Sequence, residues 1–321
     1  MKNLIIIFLL VFICSKYVFA KEGIIGIAFE RIENEPRIIN FFYVSSPAFI
    51  SGLKIGDKIL KVDNIKTKDL TLEQISKFMG GRPNTKVNLT IKRKDKQPFE
   101  INIIRRDWDL LFEANNRVVY ESEKNDFNYN CLFYWQIPEL YESSTMNHTD
   151  VCSKAIENYN QALMLLNQYK TNIKKTQTEY LEKEIAAIDL EIASMELDLS
   201  KIFFALSNSE KGFEYATISV NRQIEIFNQY PELFSGQSWS WLRIYDQLVD
   251  SILAYTFVAL ELKTVNIAEL TKMINLALKI TDESITKAES GEYNDANSAE
   301  LKPRYPNVGD YQYYRSDKIK L

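Results

Sequence analysis

The sequence predicts an α+β multidomain protein in which a small β-rich domain precedes an all-α antiparallel helical bundle or αα-repeat domain. Between residues 21 and 106, apolar residues alternate in short runs separated by Gly, Pro and Asn turns, which is typical of strands. From residue 150 onward, the apolar residues recur at helical spacing. The most regular part alternates steps of four and three residues: Leu181, Ile185, Ile188, Ile192, Met195, Leu199, Ile202 and Leu206.

The first 20 residues have the features of a secretory signal peptide. Lys2 gives a cationic start, residues 4–14 are almost entirely apolar, and Val18-Phe19-Ala20 resembles a cleavage site. We expect cleavage after Ala20, because the apolar run is shorter than the roughly 20 residues that span a membrane. An uncleaved anchor is the alternative, and bulky residues before Cys14 disfavour a lipoprotein. The expected location is therefore the periplasm of a Gram-negative bacterium or the outside of the cell.

Charge is divided unevenly along the rest of the chain. Residues 21–106 contain 17 Lys and Arg against 10 Asp and Glu, whereas residues 107–321 contain 20 against 33. A basic first half can attract carboxylates, or the acidic second half of its own chain. No motif for reading nucleic-acid grooves accompanies the basic residues, so nucleic acid is not an expected partner.

The first domain is organised around residues 45–64. A turn opens at Ser46-Pro47, one helical turn follows, and Gly52 and Gly56 interrupt the chain on either side of a leucine. A strand with Ile59 in the core comes next, and Asp-Asn makes the following turn.

A second helix and the closing strands follow this stretch. Thr71 and Gln74 form a capping box that predicts a helix start, and Gly80-Gly81 predicts its end. Residues 99–104 read as the closing strand of the domain.

The order Ser-Pro-Ala, Gly-Leu, Gly-Asp-x-Ile and Val-Asp between Ser46 and Asp63 resembles the central signature of bacterial PDZ domains. Residues 79–87 are similar to the helix-to-strand passage in the PDZ domains of carboxy-terminal processing proteases, with Asn84 where their pattern has glycine. The resemblance covers about residues 23–106, roughly a quarter of the chain. It implies a small β-barrel or sandwich with two helices.

The resemblance also implies a peptide groove. A loop and the strand after it would hold a peptide C-terminus by strand addition, and the second helix would form the far wall. The implied peptide-binding residues are Ile24, Ile25, Gly26, Ile27, Ala28 and Phe29 on the strand side, and Leu72, Ile75, Ser76 and Met79 on the helix. Which of the helix residues face the groove and which face the core stays open at this stage.

The remaining segments divide into a connector, helices and a tail. Residues 107–149 are rich in aromatics, and either dock the two domains together or offer a partner surface. Residues 150–290 contain five helical patterns, which weakly resemble a tetratricopeptide-like array and equally fit a generic bundle. The heptad-like helix pairs either within the chain or across a homodimer. Residues 291–321 read as a polar flexible tail.

No catalytic or metal chemistry is expected. Cys131 and Cys152 remain after cleavage and predict a disulfide in an exported protein, with two unpaired thiols as the alternative. Two thiols and the single distant His148 do not complete a zinc site, and no cofactor motif is present. The serine and lysine of the processing proteases have no counterpart after the PDZ-like segment.

These observations predict a non-enzymatic exported adaptor or scaffold. Its PDZ domain would capture a peptide with a free C-terminus or an extended segment, and its helical domain would offer a second protein surface. The alternative is a structural subunit whose closed groove docks on its own helices, which the charge division favours. A divergent peptidase is the third possibility.

Overall fold

A computed structural model describes residues 22–118 without Asp95, residues 148–234, and residues 267–289. It also describes residues 248, 249, 251, 252, 255, 256 and 259. The expected signal peptide, Cys131 and the polar tail lie outside the described residues. Within the described ranges, no helix combines the length and apolar character that crossing a membrane requires.

The first part of the chain forms an antiparallel sheet in the spatial order β1-β2-β3-β5-β6, with the short β4 paired to β3. Its strands are β1 (Ile27–Ile32), β2 (Glu35–Phe41), β3 (Lys58–Val62), β4 (Ile65–Lys66), β5 (Lys86–Lys92) and β6 (Phe99–Ile104). Among the described strands, β1 therefore lies at one end of the sheet and pairs only with β2. The closing strand occupies the predicted residues.

Two short helices pack against this sheet, α1 (Pro47–Ile50) and α2 (Leu72–Met79). The predicted capping box begins α2: the backbone N–H of Gln74 donates to the Thr71 side chain, and the Gln74 side chain accepts from the Thr71 backbone. Asn84 adopts a positive φ of 63°, as the glycine-like position in the sequence pattern predicts. The inward faces of the strands and helices share one apolar core with Ile38, Leu53, Ile59, Ile75, Leu89, Ile91 and Ile103.

The second part of the chain is helical: α3 (Asp109–Val118), α4 (His148–Lys174), α5 (Leu181–Ala205), α6 (Ser209–Gln229) and α7 (Ile267–Glu289). A short 3₁₀ turn, Pro231–Leu233, follows α6 at the predicted proline stop. The start of this part differs from the sequence interpretation, because α3 lies inside the segment read as a connector.

The long helices pack as antiparallel neighbours. Tyr159 and Lys170 of α4 bond to Asp198 and Asp189 of α5, so the two helices run in opposite directions. Ser200 and Ala193 of α5 bond in the same reversed order to Gly212 and Ser219 of α6. The heptad-like residues of α5 are consequently covered by its own chain: Ile188, Ile192, Met195, Leu199 and Ile202 are all buried. The tetratricopeptide-like resemblance is not confirmed.

Candidate peptide-binding groove

The edge of β1 that pairs with no described strand is the first element of the candidate site. The backbone N–H of Phe42 donates to the carbonyl of Gly26, and Ile27 stands opposite Phe41 in the register. In an antiparallel ladder, residues alternate between bonding their partner strand and pointing away from it. The Ile27 N–H and C=O therefore point away from β2, toward the edge of the sheet. This is the geometry that an added strand needs.

The loop before β1, residues 23–26, is held on several sides by backbone hydrogen bonds. Gly23 pairs with Gly81 beyond the end of α2, and Ile24 exchanges two hydrogen bonds of 2.9 Å with Arg106. The Ile25 carbonyl accepts from the N–H of Ala48 on α1. These bonds tie the loop to the segment that follows α2, to α1 and to the residue that leaves the sheet.

Gly26 is closely covered by an aromatic ring. Its φ is +79°, a conformation that L side chains rarely adopt, and an added Cβ would lie 2.0 Å from Cη2 of Trp108. The indole is 1% exposed and makes edge-to-face contacts with Tyr43 and Phe112. Only glycine fits at this position with Trp108 in place.

The helix α2 presents a buried side and an exposed side. Ile75 and Met79 are buried in the core of the sheet domain, and Leu72 packs against that core while half-buried. Ser76 is exposed, and it lies on the same helical stripe as Leu72 and Met79. Arg105 caps the end of the helix by donating to the carbonyls of residues 78 and 79.

The structure divides the predicted strand-side residues between two apolar clusters. Ile25 and Ile27 are buried in the sheet core, and Phe29 packs against it. Ala28 is half-buried. Ile24 instead packs against the cluster formed by α3, α4 and α5. The predicted strand-side residues therefore lie on the end strand and the loop before it, and this loop also contacts the helical half.

Sequence reasoning missed Arg106, Trp108 and Glu184. Arg106 donates to both oxygens of Glu184 on α5 at 2.6 and 2.5 Å, and both side chains are almost inaccessible to solvent. It also donates to Asn84 Oδ1 at 2.8 Å and to Thr176 Oγ1 at 3.1 Å. A buried ion pair at the boundary of two domains gives no local signal in sequence, although the adjacent Arg105-Arg106 was visible at the end of β6.

The contact between the sheet domain and the helices, called the junction from here on, shifts the pKa of several groups. Burial raises the pKa of the Glu184 carboxyl, and its hydrogen bonds and attraction to Arg106 oppose that rise. Burial raises the pKa of Tyr169 on α4 well above its usual range, with Glu184 adding to the rise. Tyr169 and Glu184 are only 3% and 4% exposed, so little water reaches this part of the contact between the sheet domain and the helices.

A second buried carboxyl lies at the same junction. Glu191 on α5 accepts hydrogen bonds from the backbone N–H groups of Val44 and Ser45, which lie between β2 and α1. Its Oε1 is inaccessible to solvent and has no hydrogen-bond partner. Burial raises the pKa of Glu191 to about 7, and the two backbone bonds oppose the rise.

The structure describes only some of the residues in the cysteine and metal predictions. Cys152 is fully buried in the cluster around α4, and Cys131 lies outside the described residues, so their pairing stays a prediction. His148 is the first residue of α4. Among the residues that the structure describes, no group of three or more His, Cys, Asp or Glu is arranged to hold a metal ion.

Comparison with known proteins identifies the first domain. Residues 23–103 match the family model described as the PDZ domain. A carboxyl-terminal-processing protease of Picosynechococcus sp. is 30% identical over 93 residues, which are 27% of this chain and 22% of that protein. Residues 23–103 are therefore a PDZ domain homologous to those of carboxyl-terminal processing proteases. The chain spans about a fifth of the length of this curated relative.

Two solved structures are also similar. The PDZ domain of a carboxy-terminal protease from Vibrio cholerae, in complex with a peptide, is 24% identical with a TM-score of 0.24, covering 26% of this chain and 93% of that one. A photosystem II D1 C-terminal processing protease is 15% identical with a TM-score of 0.26, covering 29% of this chain and 25% of that one.

Proposed function

We propose that the protein is a non-enzymatic exported adaptor whose PDZ domain captures a free C-terminus or an extended segment by strand addition. The observation that supports this most directly is the edge of β1 that no described strand covers, where the Ile27 backbone groups point away from β2. The loop that includes Gly26 would receive the terminal carboxylate, and an apolar side chain of the peptide would rest against Ile27, Leu72 and Met79.

The helical domain would provide the second protein-binding surface. On α7, Ile267, Ile274 and Leu278 are exposed at spacings of seven and four residues, so they share one face. Three exposed aliphatic side chains on one helix face suit a protein contact, with either another protein or a second copy of the chain. The periplasm is the proposed location, and an open groove there would meet the free C-termini of exported proteins.

The direct test is binding of the mature chain, residues 21–321, to a library of peptides with free C-termini. Amidated copies of the same peptides are the control, because amidation removes the charge that the loop would recognise. Saturable binding that amidation abolishes would support the adaptor function. Absence of binding to any peptide would contradict it.

A pair of substitutions on α2 locates the groove. Ser76→Trp would place a bulky ring on the stripe shared with Leu72 and Met79, and we expect at least a tenfold loss of peptide affinity. Lys77→Trp is the matched control, because Lys77 is also exposed but lies about a quarter-turn around the same helix. Equal affinities of the two variants would show that the peptide does not use this side of α2.

A second candidate is a structural subunit with a closed groove. The buried ion pair between Arg106 and Glu184 favours it, because it joins the PDZ domain firmly to the helices. In that case the mature chain would bind no peptide while remaining folded.

A further inference from the structure

The carboxylate-binding loop is held by two residues that lie beyond the matched PDZ segment. Arg106 bonds to Ile24 through its backbone, and Trp108 covers Gly26. Both residues come after the sheet has closed at Ile104. The loop is therefore shaped partly by the segment that leads into the helical half.

Arg106 connects the loop to α5 within a single residue. Its backbone N–H and C=O both bond to Ile24, and its guanidinium binds Glu184 with two hydrogen bonds. The remaining donors bond to Asn84 and Thr176. A bidentate pair fixes the plane of the guanidinium as well as its position. Because the pair is nearly inaccessible to solvent, removing either charge would leave the other buried without its partner.

Trp108 connects the loop to the helical core by packing. Its ring lies in one apolar cluster with Leu111 of α3, Ala155 and Tyr169 of α4, and Ile188 of α5. The same ring covers Gly26 so closely that a single methyl group would not fit between them. Displacing the ring would leave a gap beside the loop and weaken the packing contacts that support it.

We infer that the helical half positions the carboxylate-binding loop, with Arg106 and Trp108 as the positioning residues and Glu184 as the anchor on α5. This inference rests on the proposed peptide binding. A short loop with a positive-φ glycine has several accessible conformations, and holding it in one of them lowers the entropy cost of binding. Peptide affinity and the docking of the two domains are then linked, and each strengthens the other by the same factor.

The experiment compares two carboxylates on the same helix. Glu184→Gln removes the charge that anchors Arg106, whereas Glu196→Gln removes an equivalent charge from the bidentate pair with Arg222, which lies on α6 away from the loop. Both carboxylates are buried, so both variants should lose stability. Peptide affinity, discrimination against the amidated peptide, and amide hydrogen exchange of residues 24–27 are measured on the mature chain.

The expected result separates positioning from stability. Glu184→Gln should weaken binding of the free-carboxylate peptide at least tenfold, reduce its advantage over the amidated peptide, and accelerate exchange in the loop. Glu196→Gln should lower Tm while changing affinity less than twofold. Should Glu184→Gln not fold, Trp108→Phe is measured with the same readouts. It should also weaken binding and accelerate loop exchange, because phenylalanine lacks the outer part of the indole, Cη2 and Cζ2, that covers Gly26.

The outcomes remain distinguishable from failure of the proposed function. Equal affinity and equal loop exchange in the Glu184 and Glu196 variants would overturn the inference even if the wild-type chain binds peptide. If the wild-type chain binds no peptide, the proposed function fails. Faster loop exchange in Glu184→Gln alone would then still support the positioning role, and unchanged exchange would overturn it.

Discussion

Replacing Glu191 with glutamine should make the protein more stable at alkaline pH and change little in acid. Folding raises the pKa of this carboxyl from 4.5 to about 7. A group whose pKa is raised in the folded state contributes stability below its unfolded pKa, and this contribution is lost as pH rises through the folded value. For Glu191 the loss therefore falls between about pH 4.5 and pH 7.

The magnitude follows from the size of the shift. Each pKa unit corresponds to about 1.4 kcal/mol, so the full contribution is about 3 kcal/mol, of which most is present at about pH 5 and almost none at about pH 8. The amide introduced by Glu191→Gln would keep an oxygen acceptor for the N–H groups of Val44 and Ser45 but would not titrate. The stability of this variant relative to wild type should thus rise by about 2–3 kcal/mol from pH 5 to pH 8.

Urea unfolding of both proteins at pH 5, 6, 7 and 8 measures this difference. Glu182→Gln is the control, because Glu182 is an exposed carboxylate on the same helix. The stability of the Glu182→Gln variant relative to wild type should be constant from pH 5 to pH 8. A constant difference for Glu191→Gln as well, within about 0.5 kcal/mol, would refute the reasoning that burial at the junction keeps this carboxyl neutral.

Two further predictions concern the PDZ domain. Gly26→Ala should destabilise the protein by about 3 kcal/mol or more, because the positive φ and the contact with Trp108 both oppose a side chain. Gly52→Ala is the control: Gly52 also has a positive φ but faces open space, so this variant should lose only about 1 kcal/mol. Similar losses for the two variants in denaturant unfolding would show that Trp108 does not press on the loop. Thr71→Ala should cost about 1 kcal/mol through loss of the cap on α2, and Thr71→Ser, which keeps the hydroxyl, should restore most of it in the same assay.

The PDZ domain could be predicted from sequence because its information is local. The turn residues Gly52 and Gly56, the capping box at Thr71 and the left-handed Asn84 each specify backbone geometry within a few residues. The period-two alternation places each strand with its apolar face inward. Together these signals determined the order of elements and the position of the closing strand.

Two features could not be predicted in the same way: which residues of α2 face the core, and the presence of helix α3. Leu72, Ile75, Ser76 and Met79 satisfy the same periodicity whether they face a groove or a core, and only the tertiary packing buries Ile75 and exposes Ser76. Helix α3 is short, and its aromatic residues gave a compositional rather than a periodic signal. The pairing of α5 within the chain depended on its neighbours, since a heptad pattern is equally compatible with a second chain.

The junction was the least predictable part, and it has the greatest consequence for the candidate site. Arg106 and Glu184 are 78 residues apart in sequence, and each alone reads as an ordinary surface charge. The division of charge between the two halves indicated attraction, but long-range attraction between exposed groups is screened within about 10 Å at ordinary salt. A buried bidentate pair is not screened in this way, and the protein loses stability sharply when one partner of the pair is removed. Docking of the two halves should therefore depend on this contact and on the Trp108 packing more than on net charge. Raising the salt concentration should leave the loop ordered, whereas Glu184→Gln should loosen it.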